Sequence, residues 1–207
     1  MSKINIAVFV SGGGTNLQAI IDNIKKGNID GNIEVIISSK KDAYALERGK
    51  KHGIEGIYIG KNNYPNLAER TYKILEILEE KQIDLIILAG FMSILDKEIV
   101  QRYKNRIINI HPSLIPSFCG RGFYGKKVHE AVLNYGVKVT GATVHFVDEG
   151  TDTGPVILQK TVIVKDDDTV ESLSKRVLEV EHEILPMAIK LFAEGKLKVE
   201  GRKVRIK

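Results

Sequence analysis

Residues 4–17 read INIAVFVSGGGTNL, an apolar run that passes through three glycines into a polar segment. The apolar run is rich in β-branched residues, which predicts a buried strand, and a helix is predicted from about Thr15. At such a junction the backbone amides can face an anion, and the helix dipole adds partial positive charge. The stretch predicts a phosphate site, with a tight strand-to-helix turn as the alternative.

The spacing of the glycines indicates which class of phosphate ligand the site could bind. No Gly-Lys-Ser or Gly-Lys-Thr follows, as a Walker A motif requires, and the run is not a full G-x-G-x-x-G. The next apolar run ends at Ser38, Ser39 and Lys40 rather than at an acid that would bind a ribose. We therefore favour a monophosphate over NAD or a nucleoside triphosphate.

Apolar runs and amphipathic segments alternate through the first half of the chain. The predicted strands are 4–10, 33–37, 57–59, 85–88 and 107–111, and the predicted helices are one from about 15, 43–51, 67–80 and 97–103. This βαβ series implies an α/β fold that is Rossmann-like, with a mostly parallel twisted sheet and helices on both faces. Its ligand crevice is expected beyond the carboxyl ends of the strands.

The pattern changes after residue 111. The predicted elements are a helix at 128–134, strands at 139–147 and 156–164 and a helix from Asp168 or Thr169 to Glu194. The basic tail at 202–207 is expected to be a solvated end strand. Glu171 is available to complete a capping box on the last helix, which should be kinked near Pro186 and stop at Gly195. We expect the two strands to form an antiparallel C-terminal extension of the sheet. The polar segment 148–155 predicts a loop that can carry function.

Composition excludes several classes of protein. With 207 residues, 43% of them hydrophobic, the chain can bury a sizeable core, and no apolar run reaches the length of a membrane span. Its single cysteine, Cys119, rules out an internal disulfide framework. The formal charge of +5 suits nucleic acid or an anionic small molecule, and lysines mixed with acids along the helices favour the small molecule. We expect a cytoplasmic protein without nucleic-acid or membrane partners, as a monomer or homodimer.

Two polar side chains stand two residues apart at the end of the fifth predicted strand. Strand side chains alternate, so Asn109 and His111 should share one face while Ile108 and Ile110 pack the other way. An amide donor beside an imidazole is what acyl or one-carbon transfer needs, one group for the oxyanion and one for the proton. A polar strand terminus without chemistry is the alternative.

Other residues carry weaker signals. Asp152 could pair with His111 if its loop folds over the crevice, and Gly90 permits a flat ring to approach backbone groups. From the sequence alone, an Asp before Thr and Gly is more commonly a turn-forming residue. The remaining histidines, at positions 52, 129, 145 and 182, are expected to be surface or packing residues, because their spacing suits no metal.

Four segments together resemble phosphoribosylglycinamide formyltransferase. They are SGGGTNLQ at 11–18, LAGFM at 88–92, NIHPSLIP at 109–116 and DTGPVI at 152–157, in the family's order. The resemblance spans nearly the whole chain. It implies one formyltransferase domain over residues 1–207, with a phosphate-binding half at 1–111 and a folate-loop and C-terminal helix half at 112–207. It also implies formyl transfer from 10-formyltetrahydrofolate to the amine of 5′-phosphoribosylglycinamide, without a metal.

The resemblance assigns roles to individual residues. The catalytic residues would be Asn109, His111 and Asp152; the substrate phosphate would bind at Gly14, Thr15 and Asn16; Glu181 would hold the substrate amine; and the folate would contact Met92, Ser93, Ile94, Leu95, Asn109, Asp148, Glu149, Gly150, Thr151 and Asp152. Ser93 stands where many members have arginine, and Arg70 is a candidate for the basic residue that meets the folate tail. Protonated His111, its pKa raised by Asp152, is expected to stabilise the oxyanion with Asn109.

Three other functions compete with this assignment. Methionyl-tRNA formyltransferase carries an additional C-terminal RNA-binding domain, which is not expected here because the chain ends soon after its last helix. Formyltetrahydrofolate deformylase carries an extra N-terminal domain, whereas this sequence moves directly into its first strand. A non-enzymatic phosphate-binding module would leave Asn109, His111 and Asp152 without a purpose.

Overall fold

The computed structural model describes residues 3–207, which divide into two compact units on either side of residue 108. In the first unit, four parallel strands lie in the order β3-β2-β1-β4. The strands are β1 (Ile4–Val10), β2 (Gly31–Ser38), β3 (Gly56–Tyr58) and β4 (Leu85–Leu88), and the helices are α1 (Thr15–Lys25), α2 (Tyr44–Lys51), α3 (Leu67–Glu80) and α4 (Lys97–Arg102).

The apolar strands of this unit explain its core. All four residues of β4 are buried, as are Ile6 to Val10 of β1. Strands that are buried along their length read as continuous apolar runs, as parallel sheets covered by helices require. Phe9 is completely buried, and hiding such a side chain from water contributes about 2 kcal/mol. The predicted bounds of α3 and β4 agree with the structure to the residue.

The second unit begins within strand β5 and combines antiparallel strands with a long helix. Its elements are β5 (Ile107–His111), α5 (Lys126–Tyr135), β6 (Val139–Phe146), β7 (Val156–Ile163), α6 (Val170–Ala193), β8 (Leu197–Glu200) and β9 (Lys203–Ile206). The strand order is β5-β6-β7-β9-β8, in which β6 and β7 pair antiparallel, as do β8 and β9. Helix α6 packs against α5, β6 and β7. Strand β8 was not predicted from the sequence.

The capping box of α6 differs from the predicted one. Thr169 is the N-cap, and its side chain accepts a hydrogen bond from the backbone amide of Ser172, whose hydroxyl accepts one from the amide of Thr169. The box therefore closes on Ser172 and not on Glu171, because the residue three positions after the cap is the one that can reach back. Glu171 instead forms an exposed ion pair with Lys126.

The fold class predicted from the sequence is confirmed. The chain is a mixed α/β protein with mostly parallel strands, followed by antiparallel strands towards the C-terminus. Within the described residues, none of the helices is both long and apolar enough to cross a bilayer.

Candidate active site

A cluster of polar side chains is buried in the second unit, around the end of β5. Asn109 and His111 both come from β5; Asn109 contacts His145, and His111 contacts Asp152. His145 is contributed by β6, and Asp152 by the loop between β6 and β7. His111 and His145 are almost completely buried, and Asp152 is largely buried. The structure therefore brings together the three residues for which the sequence suggested chemistry, and it adds a fourth.

The hydrogen bonds of His111 define the state of its ring. Its Nε2 lies 3.0 Å from the carbonyl oxygen of Phe118, so Nε2–H donates to this carbonyl. Its Nδ1 lies 3.6 Å from Oδ2 of Asp152. Because Nε2 carries the proton in the neutral ring, Nδ1 is the nitrogen that can accept a second proton, directly beside the carboxylate.

The position of Asp152 depends on its loop. Its Oδ2 accepts a hydrogen bond of 2.9 Å from the amide of Gly120, and its Oδ1 lies 3.7 Å from Nε2 of His145. The backbone of Asp152 is left-handed, with φ 57°, a conformation that Asp tolerates better than most residues. The Gly120 amide thus fixes the carboxylate at a position between two imidazoles.

His145 is a site residue that the sequence did not reveal. Its Nδ1 lies 2.8 Å from the carbonyl oxygen of Phe146, and its Nε2 lies 3.0 Å from Nδ2 of Asn109. This pattern assigns the proton of His145 to Nδ1, so Nε2 accepts from the Asn109 amide and fixes its orientation. The sequence does hold a signal, since a histidine inside a mostly buried strand must find polar partners.

The charges of His111 and Asp152 are set by burial and by each other. Burial lowers the pKa of the His111 imidazole, whereas the Asp152 charge and the hydrogen bond to the Phe118 carbonyl raise this pKa. Burial is the larger effect, so the pKa of His111 lies below its ordinary value. Burial raises the pKa of the Asp152 carboxyl, but contacts with His145, His111 and the Gly120 amide outweigh it and hold the pKa below its usual range.

This result corrects the expectation of a protonated His111. Asp152 acts on the imidazole in the expected direction, but desolvation of the ring is the larger effect on its pKa. Near neutral pH the free protein therefore pairs a neutral His111 with an ionised Asp152. The imidazole is in the form that accepts a proton.

A further histidine, His129 of α5, is buried close to this cluster. Burial lowers its pKa to about 4, and the charge of His111 acts in the same direction. Its Nδ1 is buried without a hydrogen-bond partner in the part of the chain that the structure describes. His129 is therefore neutral at ordinary pH.

The glycine loop lies in the first unit, between β1 and α1. Gly14 caps α1 in a left-handed conformation with φ 72°, Thr15 opens the helix, and Asn16 is buried in its first turn. The hydroxyl of Ser11 lies 2.5 Å from that of Ser39 and accepts a hydrogen bond of 2.8 Å from the amide of Met92. Within this unit, Ser11 therefore ties the glycine loop to the segment that follows β4.

The residues predicted to contact folate lie in both units. In the first unit, Met92 is 53% and Ile94 is 80% exposed. Ser93 and Leu95 lie in the same segment, and Gly90 at the end of β4 has φ 72°. Arg70 lies on α3, where its guanidinium donates to the carbonyl of Tyr64.

In the second unit, the loop 148–152 is organised by its own side chains. Oδ1 of Asp148 accepts hydrogen bonds from the Gly150 amide and from the Thr153 hydroxyl. Glu149 and Thr151 are exposed in the same loop. Glu181 lies on the buried side of α6 and is 9% exposed.

Two alternative chemistries have no support in this arrangement. Burial and the Asp152 charge raise the pKa of the Cys119 thiol, which disfavours a nucleophilic thiolate. Across residues 3–207, no group of three or more His, Cys, Asp or Glu side chains is placed to hold a metal ion.

Comparison with known proteins relates residues 4–189 to the formyl transferase family. The chain is 45% identical over 193 residues to the human trifunctional purine biosynthetic protein adenosine-3, covering 93% of this chain but only 19% of the human protein. It is 40% identical to the phosphoribosylglycinamide formyltransferase of Haemophilus influenzae, covering 94% of this chain and 90% of that enzyme. The crystal structure of glycinamide ribonucleotide transformylase 1 from Symbiobacterium toebii matches with a TM-score of 0.93 and 46% identity, over 99% of this chain and 94% of that one.

Proposed function

Because the chain belongs to the phosphoribosylglycinamide formyltransferase family, we propose that it transfers the formyl group of 10-formyltetrahydrofolate to the amine of 5′-phosphoribosylglycinamide. The products are the formylated glycinamide ribonucleotide and tetrahydrofolate, as in purine biosynthesis. The observation that carries the proposal is the buried pair of neutral His111 and ionised Asp152, 3.6 Å apart, beside the oriented amide of Asn109.

Asn109 is suited to stabilise the oxyanion. When the substrate amine attacks the formyl carbon, negative charge develops on the formyl oxygen, and a fixed N–H donor lowers the energy of that state. One N–H of Asn109 is held by Nε2 of His145, which leaves the second N–H of the same NH₂ group for the oxyanion. Because His145 fixes the amide plane, this donor needs little reorganisation during the reaction.

His111 is suited to carry the proton. The attacking amine must lose a proton and the folate nitrogen must gain one, so a single base can accept the first and supply the second. We propose that Nδ1 of His111 accepts the proton through water, because the ring is neutral and Nε2 already donates to Phe118. Asp152 then stabilises the imidazolium, in the contact where the structure has its carboxylate.

The remaining binding roles are proposed from the family resemblance and the local structure. Gly14, Thr15 and Asn16 at the start of α1 take the substrate phosphate, since helix N-termini and glycine loops favour anions. Glu181 holds the amine end. The segments 92–95 and 148–152 bind the folate.

The partners and the location are also proposed. Small-molecule substrates fit a chain whose lysines are interspersed with acidic residues. We propose a cytoplasmic enzyme with no nucleic-acid or membrane partner, which acts as a monomer or homodimer.

A two-substrate assay tests the proposed activity. The protein is mixed with 10-formyltetrahydrofolate, and the absorbance of the folate is followed with and without phosphoribosylglycinamide. We expect tetrahydrofolate to form only when the acceptor is present. No change with both substrates would contradict the proposal, and an equally fast change without the acceptor would favour a deformylase.

A further inference from the structure

Helix α2 donates hydrogen bonds to two carbonyl groups of the glycine loop at 12–14. The carbonyl oxygen of Gly12 accepts a hydrogen bond of 3.0 Å from the backbone amide of Ala45, in the first turn of α2. The carbonyl oxygen of Gly13 accepts one of 2.8 Å from Nε of Arg48, one turn further along. The side of the loop that carries these oxygens therefore faces α2.

These two bonds determine where the loop amides point. In a planar trans peptide the N–H is directed opposite to the C=O of the preceding residue. Fixing the Gly12 and Gly13 oxygens towards α2 therefore directs the N–H groups of Gly13 and Gly14 away from it. Gly13 is exposed and Gly14 is half-buried, so an anion can approach the N–H groups of both residues from the solvent side.

The guanidinium of Arg48 is held in a single orientation. Its Nη1 donates to Oε1 of Gln18 at 3.3 Å, and its Cζ lies 5.1 Å from the centre of the Tyr44 ring. The Gln18 amide is oriented in turn, because its Nε2 donates to Asp22 at 2.9 Å. A planar fork with fixed donors can meet two acceptors and a ring at once, which a lysine ammonium cannot.

We propose that Arg48 is a positioning residue for the phosphate of the acceptor substrate. By holding the Gly13 carbonyl it keeps the Gly14 amide aimed at the phosphate, and its link to Gln18 fixes the loop to α1. This inference rests on the proposed function, since the phosphate belongs to that acceptor. It extends the binding site beyond the loop to a side chain of α2.

The test compares Arg48→Met and Arg48→Lys with a matched control, Lys51→Met. Lys51 also lies over the Tyr44 ring, at 5.5 Å, and donates to the Tyr44 hydroxyl. For each protein we would measure kcat, the KM of each substrate, the Tm and, by calorimetric titration, the Kd of inorganic phosphate and of phosphoribosylglycinamide.

We expect Arg48→Met to raise the KM of phosphoribosylglycinamide and the Kd of inorganic phosphate about tenfold, because a loop amide that Arg48 no longer holds must be ordered when the phosphate binds. The KM of the folate substrate and the Tm should stay close to those of the wild type. Arg48→Lys should also weaken phosphate binding, because it keeps the positive charge but lacks the planar guanidinium that bonds Gly13 and Gln18 together. Lys51→Met should behave as the wild type.

Three results would overturn the role of Arg48. The first is that Arg48→Met binds phosphate as tightly as Lys51→Met does. The second is that Arg48→Met raises the KM of both substrates in parallel and lowers the Tm. The third is that Arg48→Lys keeps the full phosphate affinity of the wild type. If Arg48→Met does not fold, Arg48→Lys decides the question. The titration is independent of turnover, so an inactive wild type that binds phosphate would contradict the proposed function and leave this test valid. A wild type that binds no phosphate would contradict the inference.

Discussion

His111 and Asp152 form a pair in which each residue controls the charge of the other. The imidazole is desolvated, and the adjacent carboxylate partly offsets the effect on its pKa. Nδ1 of His111 is therefore unprotonated before the reaction, and Asp152 can stabilise a proton that binds there. Asp152 therefore acts through its negative charge more than through its shape.

Asp152→Asn tests the charge directly. Removing the carboxylate takes away an influence that raises the pKa of His111, so this pKa should fall further below its ordinary value. We expect kcat to decrease by roughly 10²-fold or more, because the imidazolium formed during transfer loses its partner. NMR titration of the His111 ring and steady-state kinetics measure the two effects.

Asp166→Asn is the matched control. Asp166 is an exposed carboxylate of the same unit, paired with Lys138 at 2.8 Å. Its replacement should leave both the His111 titration and kcat as in the wild type. Wild-type turnover in Asp152→Asn would contradict the assigned role.

His129 makes the stability of the protein depend on pH. The pKa of His129 is about 4 in the folded protein and 6.5 in the unfolded chain. As the pH falls from 6.5 towards 4, the unfolded chain therefore binds a proton at His129 that the folded protein does not bind. Between neutral pH and about pH 4.5 this linkage lowers the free energy of unfolding by about 2 kcal/mol.

His129→Gln should remove that part of the pH dependence. Urea unfolding at both pH values would show a smaller acid-induced loss in His129→Gln than in the wild type, whatever the stability of the variant at neutral pH. His52→Gln serves as the control, since His52 lies outside the buried cluster. An unchanged pH dependence in His129→Gln would show that His129 is protonated normally in the folded protein.

Helix α6 begins with a reciprocal cap, and its stability tests the corrected capping box. Thr169→Ala removes the acceptor for the Ser172 amide and should lower the free energy of unfolding by about 1 kcal/mol. Glu171→Gln should change it by less than about 0.5 kcal/mol, because that carboxylate is exposed and forms its ion pair with Lys126 at the surface. The free energies are measured by urea unfolding. An equal loss of unfolding free energy in the two variants would show that Glu171 is part of the cap.

The turn between β1 and α1 requires glycine at position 14 for two reasons. A Cβ on Gly14 would lie 2.6 Å from the Cβ of Ala45, and φ is +72°. Gly27 has nearly the same φ, +73°, with open space around it. Gly27→Ala should therefore cost only the backbone strain, roughly 1 kcal/mol, whereas Gly14→Ala should cost more and also weaken phosphate binding.

Thermal unfolding and phosphate titration of the two variants separate these contributions. The Gly27→Ala protein should keep the phosphate affinity of the wild type. Equal stability of the two variants would mean that α2 moves aside without cost, and that contact with Ala45 does not shape the loop.

The sequence predicted most of the fold because its local signals agree with one another. Strand β4 and helix α3 were predicted to the residue, since an unbroken apolar run and a regular apolar stripe are unambiguous. Strand β8, Leu197–Glu200, was missed because it is short, alternates with lysine and glutamate and pairs with β9 rather than with a long apolar neighbour.

The site was less predictable than the fold, for a physical reason. Asn109 and His111 are close in sequence, so strand periodicity alone places them together. His145 reaches them from a strand far along the chain, and only the packing of the unit shows it. The net pKa of His111 likewise depends on how completely the ring is desolvated, which no local pattern encodes.

The identity of the product tests most directly whether the protein is a formyltransferase that uses His111. Phosphoribosylglycinamide would be incubated with 10-formyltetrahydrofolate and either the wild type or His111→Asn, and the acceptor analysed by mass spectrometry. We expect the wild type to add one formyl group to the acceptor amine, and His111→Asn to form this product at least about 10²-fold more slowly. An acceptor left unmodified by the wild type, or formylated equally fast by His111→Asn, would contradict this expectation.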